Sequence, residues 1–256
     1  MSLLPDPIHS PRPASRVEPV QPDGKVLIVD DDAPVRRVLH SALYSAGFDV
    51  GEAASGEEAI ALSKIIHFDV VLLDVNMPGK GGIQTCAELR RLQPKIAILV
   101  LSVIDDHERK IVALESGADD YITKPFHIKE LTARIQAALR RAKTAPGTSE
   151  QLIVIGDVTL NPARRRVQKA GVALHLTPKE FDLLHFLMQH PGQPITHSRL
   201  LHAVWGEQYA SQVEYLRTFV RQLRMKLGDD AANPRYLLTD SHVGYRFADP
   251  ADLAAG

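Results

Sequence analysis

Four apolar runs in the first half of the chain end in residues that could do chemistry. Val26-Leu27-Ile28-Val29 leads into Asp30, Asp31 and Asp32, and Val70-Val71-Leu72-Leu73 leads into Asp74. The run from Ile96 to Leu101 leads into Ser102, and Tyr121-Ile122-Thr123 leads into Lys124-Pro125. Carboxylates gathered in one place repel unless a cation sits among them. Oxygen-only ligands favour Mg²⁺, which prefers a few carboxylates plus waters and a phosphate oxygen. Such a metal would neutralise charge on a transferring phosphoryl group. A carboxylate could then attack as nucleophile and form an acyl phosphate. A nearby lysine would pair with the phosphoryl oxygens as a point charge. Asp31 and Asp32 also suit the start of a helix, where acids stabilise the dipole. Lys124-Pro125 alone is only a turn signal. The order and spacing of all four elements point to one shared site.

The elements that must carry these residues follow from pattern. Pro34 suits a first helical turn and Gly47 the residue past a helix end, which predicts a helix from Pro34 to Ala46. Ser55-Gly56-Glu57-Glu58 is a capping box opening a helix to about Ile66. Further helices are expected over Ile83 to Leu92, Asp106 to Ser116 and Ile128 to Lys143. Apolar strands alternating with five helices indicate a five-stranded, doubly wound parallel α/β sheet, whose strand ends converge at one edge if its order is flavodoxin-like. Ligands of such sheets sit beyond the carboxyl ends of the strands. That is where the acids, the serine and the lysine fall.

After Lys143 the character changes. Thr144 to Glu150 is small and polar and reads as a linker. Residues 152–175 hold short strands with turns at Asn161-Pro162 and Ala170-Gly171. Thr177-Pro178-Lys179-Glu180 is a second capping box, opening a helix to about Gln189. Thr196 caps a helix ending near Trp205-Gly206, and a third helix runs from about Gln212 to Leu227, stopped by Gly228. Arg235–Thr239 and Gly244–Phe247 read as a hairpin. Strands, three helices and a hairpin predict an α+β winged helix-turn-helix domain. On the third helix Leu216, Val220, Leu223 and Leu227 share one stripe, with Phe219 at its margin. Glu214, Thr218, Arg221, Gln222 and Met225 share the opposite stripe, with Arg217 and Arg224 on the flank. An apolar back and an Arg/Gln/Thr front suit a major-groove helix. Arginine reads guanine, glutamine reads adenine, and flanking arginines hold phosphates.

The expected organisation is thus a disordered leader at 1–23, a first domain at 24–143, a linker at 144–150, a second domain at 151–249 and a tail at 250–256. The leader carries Pro5, Pro7, Pro11, Pro13, Pro19 and Pro22 and lacks the continuous apolar run of a signal peptide. The 256 residues carry a net charge of −1, so whole-chain charge predicts no polyanion partner. Residues 24–143 hold 16 Lys and Arg against 17 Asp and Glu, and residues 151–256 hold 12 against 10. Any DNA affinity must come from local placement of charge. The single cysteine, Cys86, excludes internal disulfides and Cys-based metal clusters, fits a reducing cytoplasm, and is expected to be a small buried apolar residue. No apolar run approaches the ~18 residues of a membrane span.

Four motifs resemble those of two-component response-regulator receivers over about residues 25–143. They are Val29-Asp30-Asp31, Leu73-Asp74-Val75-Asn76-Met77-Pro78-Gly79, Leu101-Ser102-Val103 and Gly117 through Phe126. The resemblance implies that Asp74 is the phosphate acceptor. It implies an acidic pocket of Asp30 and Asp31, with Asp31, Asp74 and the Asn76 backbone carbonyl ligating Mg²⁺, and Asp32 a neighbour only. Lys124 would contact the phosphate beside a cis bond to Pro125, while Ser102 and Tyr121 would move together as the switch. It also implies a sensor histidine kinase as donor, and an acceptor role with at most autophosphotransfer and autodephosphorylation. The second half resembles the effector domain of the OmpR/PhoB branch over about residues 151–248. Leu176 to Phe181, Leu200-Leu201 to Val204-Trp205-Gly206 and Val243 to Phe247 carry that match.

That branch implies double-stranded promoter DNA as partner, with RNA polymerase a further one. Arg217, Thr218, Arg221, Gln222, Arg224 and Arg246 would be the DNA-binding residues. It implies a receiver homodimer through Lys110, Ile111, Leu114, Asp119, Asp120, Glu130 and Arg134. In that dimer Lys110 pairs with Glu130, and Asp120 with Arg134, across a two-fold axis. Tyr215-Leu216-Arg217, Arg221-Gln222-Leu223-Arg224 and Asn233-Pro234-Arg235-Tyr236 look closest to the KdpE subgroup. That subgroup controls potassium-uptake genes under the membrane kinase KdpD. One departure stands out: many relatives carry Arg-Gly at the wing tip, where this chain has Ser241-His242. Two other readings stay open. An aspartyl-phosphate phosphatase of the haloacid-dehalogenase type would want an acid two residues after Asp74, where Asn76 stands. A regulator binding RNA or protein through its second domain would want a stacking sheet, which nothing in the sequence suggests.

Overall fold

The computed structural model describes residues 22–103, 107–143 and 151–254. The expected linker, and all but the last two residues of the expected leader, lie outside them. The first domain is a five-stranded parallel sheet of β1 (Lys25–Val29), β2 (Asp49–Ala53), β3 (Val70–Asp74), β4 (Ala97–Ser102) and β5 (Asp120–Thr123), in the order β2-β1-β3-β4-β5. Helices α1 (Ala33–Ser45), α2 (Gly56–Ile65), α3 (Gly81–Leu92), α4 (His107–Glu115) and α5 (Ile128–Lys143) alternate with the strands. β1, β3 and β4 are apolar almost throughout because helices cover both faces of the sheet. Alternate residues serve opposite faces. Val26, Ile28, Leu72 and Leu99 pack with Leu39, Leu43, Leu131 and Ile135 of α1 and α5. Leu27, Val29, Leu73 and Val100 pack with Ala59, Cys86 and Leu114 of α2, α3 and α4.

Sheet order and register create the site. β1 continues to β2 on one side while its neighbour β3 continues to β4 on the other, so the connections leave these two carboxyl ends in opposite directions and open a crevice between them. Val29 pairs with Leu73, and Asp74 with Leu101, which brings the ends of β1, β3 and β4 level. The Asp32 side chain caps α1 by accepting from the Val35 amide at 3.3 Å, and Ser55 caps α2 by accepting from Glu58. β2 is an edge strand, and only its Ala53 is buried.

The second domain opens with an antiparallel sheet of β6 (Ile153–Ile155), β7 (Val158–Asn161), β8 (Arg166–Lys169) and β9 (Val172–Leu174). Three helices follow: α6 (Pro178–Met188), α7 (His197–Val204) and α8 (Val213–Leu227). A two-residue strand β10 (Ile195–Thr196) precedes α7, and a 3-10 turn (Glu207–Tyr209) precedes α8. β11 (Leu237–Asp240) and β12 (Gly244–Phe247) form the hairpin, and β12 pairs with β10 as well. A short helix α9 (Pro250–Ala254) occupies most of the expected tail. The capping box is formed: Thr177 Oγ1 accepts from the Glu180 amide at 3.3 Å, and the Thr177 amide donates to Glu180 Oε2 at 2.7 Å. α8 stops at Gly228, whose φ of 61° is left-handed and suits glycine at a helix end. Leu216, Phe219, Val220, Leu223 and Leu227 all face the core, with the Trp205 ring tilted against Phe219 at 4.9 Å between centres. The fold class expected for each half is the one observed.

Among the described residues no helix is long and apolar enough to cross a membrane. Cys86 is fully buried on α3, and burial pushes its thiol up to about 12. A thiol so placed offers almost no thiolate at neutral pH. The native full-length chain should therefore resist a thiol-specific disulfide reagent at pH 8 and release one equivalent only on unfolding. Rapid stoichiometric labelling of the folded chain would contradict this burial.

Candidate functional site

The acids at the strand ends converge. Carboxylate oxygens of Asp30, Asp31 and Asp74 lie within 4.8 Å of one another, a grouping able to hold a metal ion. Asp30 and Asp74 are buried, while Asp31 is exposed at the mouth. Lys124, carried in from the end of β5, bridges the buried pair: its Nζ donates to Asp30 Oδ2 at 2.8 Å and to Asp74 Oδ2 at 3.2 Å. Burial alone would push the Lys124 ammonium down. The Asp30 hydrogen bond and the charges of Asp74 and Asp30 outweigh it, so Lys124 is held above its ordinary value and stays charged. The Lys124–Pro125 bond is cis. Asp32 caps α1 and stands outside the cluster, as expected.

Several contacts hold the acids in place. Asp30 Oδ1 accepts from the Asp32 amide at 2.9 Å, and Asp74 Oδ1 accepts from the Asn76 amide at 3.1 Å. Arg36 was not anticipated: its Nη1 donates to the Asp30 carbonyl at 2.6 Å, and its Nε lies 3.5 Å from Glu52. Nothing in the pattern around Arg36 distinguishes it from an ordinary helix arginine. Gly82 permits the β3–α3 turn, since a Cβ there would sit 2.3 Å from the Asp74 carbonyl oxygen.

Ser102 ends β4 fully buried, and its hydroxyl accepts from Asn76 Nδ2 at 3.4 Å. Its carbonyl accepts from the Lys124 amide at 2.6 Å. The serine is thus tied to the loop after Asp74 and to the end of β5. Tyr121, on β5, is buried, and Lys110 Nζ lies 5.7 Å from its ring centre.

The residues expected at a dimer face lie along α4, β5 and α5, but not all are presented outward. Asp119 is buried, accepting from Arg90 Nη2 at 2.5 Å and from the Ile98 amide at 2.9 Å. Arg134 makes its ion pairs within the chain, at 2.9 Å to Asp120 and 2.7 Å to Glu130. Burial pushes the Asp120 carboxyl up, against the pull of Arg134 and Lys179. Ile111 and Leu114 face a small cavity of ≈ 240 Å³ shared with residues of the second domain, among them Val213 and Tyr215.

On α8 the expected front is only partly free for DNA. Arg217 and Arg221 are exposed, and Met225 is 61% exposed beside them. Arg217 pairs with Glu214 at 2.5 Å. Thr218 is buried, and its hydroxyl donates to the Glu214 carbonyl at 3.0 Å. Arg224 is turned to the hairpin, donating to the Leu237 carbonyl at 2.6 Å and Thr239 Oγ1 at 2.8 Å. Arg246 pairs with Asp240 at 3.1 Å. At the hairpin tip His242 takes a left-handed φ of 64°, the conformation a glycine would adopt more readily.

Comparison with known proteins accounts for both halves. Residues 26–136 match the family model of the response regulator receiver domain, and residues 171–247 match that of the C-terminal domain of transcriptional regulatory proteins. DrrB of Thermotoga maritima, an OmpR/PhoB homolog, is 31% identical over 88% of this chain and 99% of its own, with a TM-score of 0.47. A RitR mutant is 24% identical over 88% and 99%, with a TM-score of 0.72, a likeness of fold. A Francisella response-regulator receiver domain is 37% identical over 47% of this chain and 99% of its own, with a TM-score of 0.45. With a receiver match on its acidic site and a C-terminal transcriptional-regulator match on its winged helix, the chain belongs to the OmpR/PhoB-type response regulators, which regulate transcription in response to phosphorylation.

Proposed function

We propose that Asp74 accepts a phosphoryl group from a sensor histidine kinase in the cytoplasm, and that the modified chain pairs with a second copy and binds promoter DNA. The observation that carries this reading is the bridge of Lys124 between Asp30 and Asp74, beside a third carboxylate from Asp31. An Asp74 carboxylate oxygen attacks phosphorus as the bond to the donor imidazole breaks, and the imidazole leaves with the bond's electrons. The donor set suits Mg²⁺, with Asp31, Asp74 and the Asn76 carbonyl as ligands; when bound, it offsets charge on the transferring group. Lys124 then pairs with a phosphoryl oxygen, exchanging it for its contact with Asp74. The Ser102 hydroxyl, now an acceptor for Asn76, donates to another phosphoryl oxygen, and Tyr121 follows.

In the active form Lys110, Ile111, Leu114, Asp120, Glu130 and Arg134 meet a second receiver, and the within-chain pairs of Arg134 exchange for pairs across the two-fold axis. Arg221 and Gln222 read base edges, with Arg217 on the flanking phosphates. The partner kinase is KdpD-like and the regulon one of potassium transport, a narrower reading supported by the pattern around Tyr215–Arg217, Arg221–Arg224 and Asn233–Tyr236. A regulon of another kind is the alternative within the same class.

Asp74→Ala should abolish phosphoryl uptake from acetyl phosphate with Mg²⁺, read by intact-protein mass; persistent labelling of that variant moves the acceptor elsewhere. Arg221→Ala should weaken binding to the cognate operator by about 1–3 kcal/mol, read by fluorescence anisotropy. An unchanged affinity removes Arg221 from the base-reading set.

A further inference from the structure

Of the three carboxylates at the strand ends, two are held by their own oxygens and one is not. Asp30 and Asp74 each accept from Lys124 and from a backbone amide. The Asp31 carboxylate is exposed, and among the described residues no hydrogen bond or ion pair reaches it. Its place within 4.8 Å of the other two therefore comes from the backbone that carries it. That backbone is leaving the sheet. β1 ends at Val29, and the Asp30 amide still donates to the Ala53 carbonyl at 3.3 Å. The next peptide unit, which joins Asp30 to Asp31, is held by a side chain: Arg36 Nη1 donates to the Asp30 carbonyl at 2.6 Å. A peptide unit is planar, so fixing that carbonyl fixes the direction in which the Asp31 amide and Cα leave.

We propose that Arg36, oriented by Glu52, is a positioning residue for divalent-cation binding: it sets the Asp31 carboxylate where Mg²⁺ meets it, without touching the metal. The proposal rests on the reading of Asp31, Asp74 and the Asn76 carbonyl as ligands. The Arg36 side chain is only 15% exposed, so it has little room to leave the Asp30 carbonyl. It is also held at a second point. Its Nε lies 3.5 Å from Glu52 Oε2, and Glu52 Oε1 lies 2.7 Å from His40 Nδ1. Glu52 stands on β2 in register with Ile28 of β1, so the acid that aims the guanidinium is fixed to the sheet that ends in the site. A guanidinium suits this place because its planar fork meets two acceptors in fixed directions. Its charge acts the other way, since a cation beside an acidic pocket repels Mg²⁺. Arg36 therefore favours the metal only through geometry, as outer-shell partners of metal ligands do. That opposition sets the sign of the test.

The test uses the full-length chain. Mg²⁺ alone is titrated and followed by amide chemical shifts, and phosphorylation by phosphoramidate is timed by intact-protein mass over a range of Mg²⁺ concentrations. Arg36→Ala should raise the Mg²⁺ dissociation constant about tenfold or more. The Mg²⁺ needed for half-maximal phosphorylation should rise by the same factor, with the rate at saturating Mg²⁺ close to wild type. Arg36→Lys keeps the charge but not the fork and should weaken binding to an intermediate degree. Action through Asp31 is checked in the Asp31→Asn background, where adding Arg36→Ala should change the initial slope of rate against Mg²⁺ little further. An Arg36→Ala affinity equal to or tighter than wild type overturns the proposal, as does an undiminished effect of Arg36→Ala in the Asp31→Asn background. If Arg36→Ala does not fold, judged by its thermal melt, Arg36→Lys decides, and wild-type affinity in it overturns the proposal. If the wild-type chain binds no Mg²⁺ and takes up no phosphoryl group, the reading of the site fails and the positioning role fails with it. Wild-type Mg²⁺ binding that Arg36→Ala leaves unchanged removes the positioning role alone.

Discussion

The receiver site depends on one compensation of charge. Asp30 and Asp74 are buried carboxylates whose oxygens approach within a few ångströms. Left alone, the two would need some outside charge to offset their repulsion. The Lys124 ammonium removes that need by contacting both, and it comes from the far end of the sheet. That single contact requires β1, β3, β4 and β5 to end level, which the parallel register secures. It also requires the loop after β5 to turn back over the site. On the proposed reading, a phosphoryl group and a metal ion would bring their own charges into this balance, so the lysine could change partner without leaving a buried charge unmatched.

How much was readable beforehand follows from what each residue must do. β1, β3 and β4 announce themselves because burial on both faces demands an apolar run, and the acids at their ends stand out against it. β2 gave no such signal: Asp49-Val50-Gly51-Glu52-Ala53 is an edge strand with one buried residue, and its pairing with β1 is written in the sheet, not in its own pattern. β10 is two residues long and exists through β12. On α8 the apolar stripe was legible, since helical periodicity decides burial. The polar front was less so. Periodicity shows that Arg224 and Thr218 leave the stripe but not what lies beside them, and the hairpin claims one while the helix's own backbone claims the other.

The docking of the two domains was not legible at all. Glu115, Tyr209 and Tyr215 each have a sufficient local explanation, as a helix-end acid, a turn aromatic and a helix aromatic. Asp120 and Arg134 did stand out, but as partners in a pair between two chains. Complementary charges on one surface specify that they can pair. They do not specify whether the partner is a second copy, the same receiver or the chain's own effector domain. Only the three-dimensional placement of Tyr209 over Arg134 decides this for the form described here.

That ambiguity has a physical consequence for control. The effector domain carries little excess positive charge, so one copy gains little from counterion release and holds DNA weakly. On the proposed reading, two copies on adjacent half-sites would gain by effective concentration, so receiver pairing would set the affinity. In this structure the Asp120 oxygen is shared between Arg134 and Tyr209, and Arg221 pairs with Glu115. On the proposed reading, a second receiver and a DNA duplex would each meet surfaces that these contacts cover.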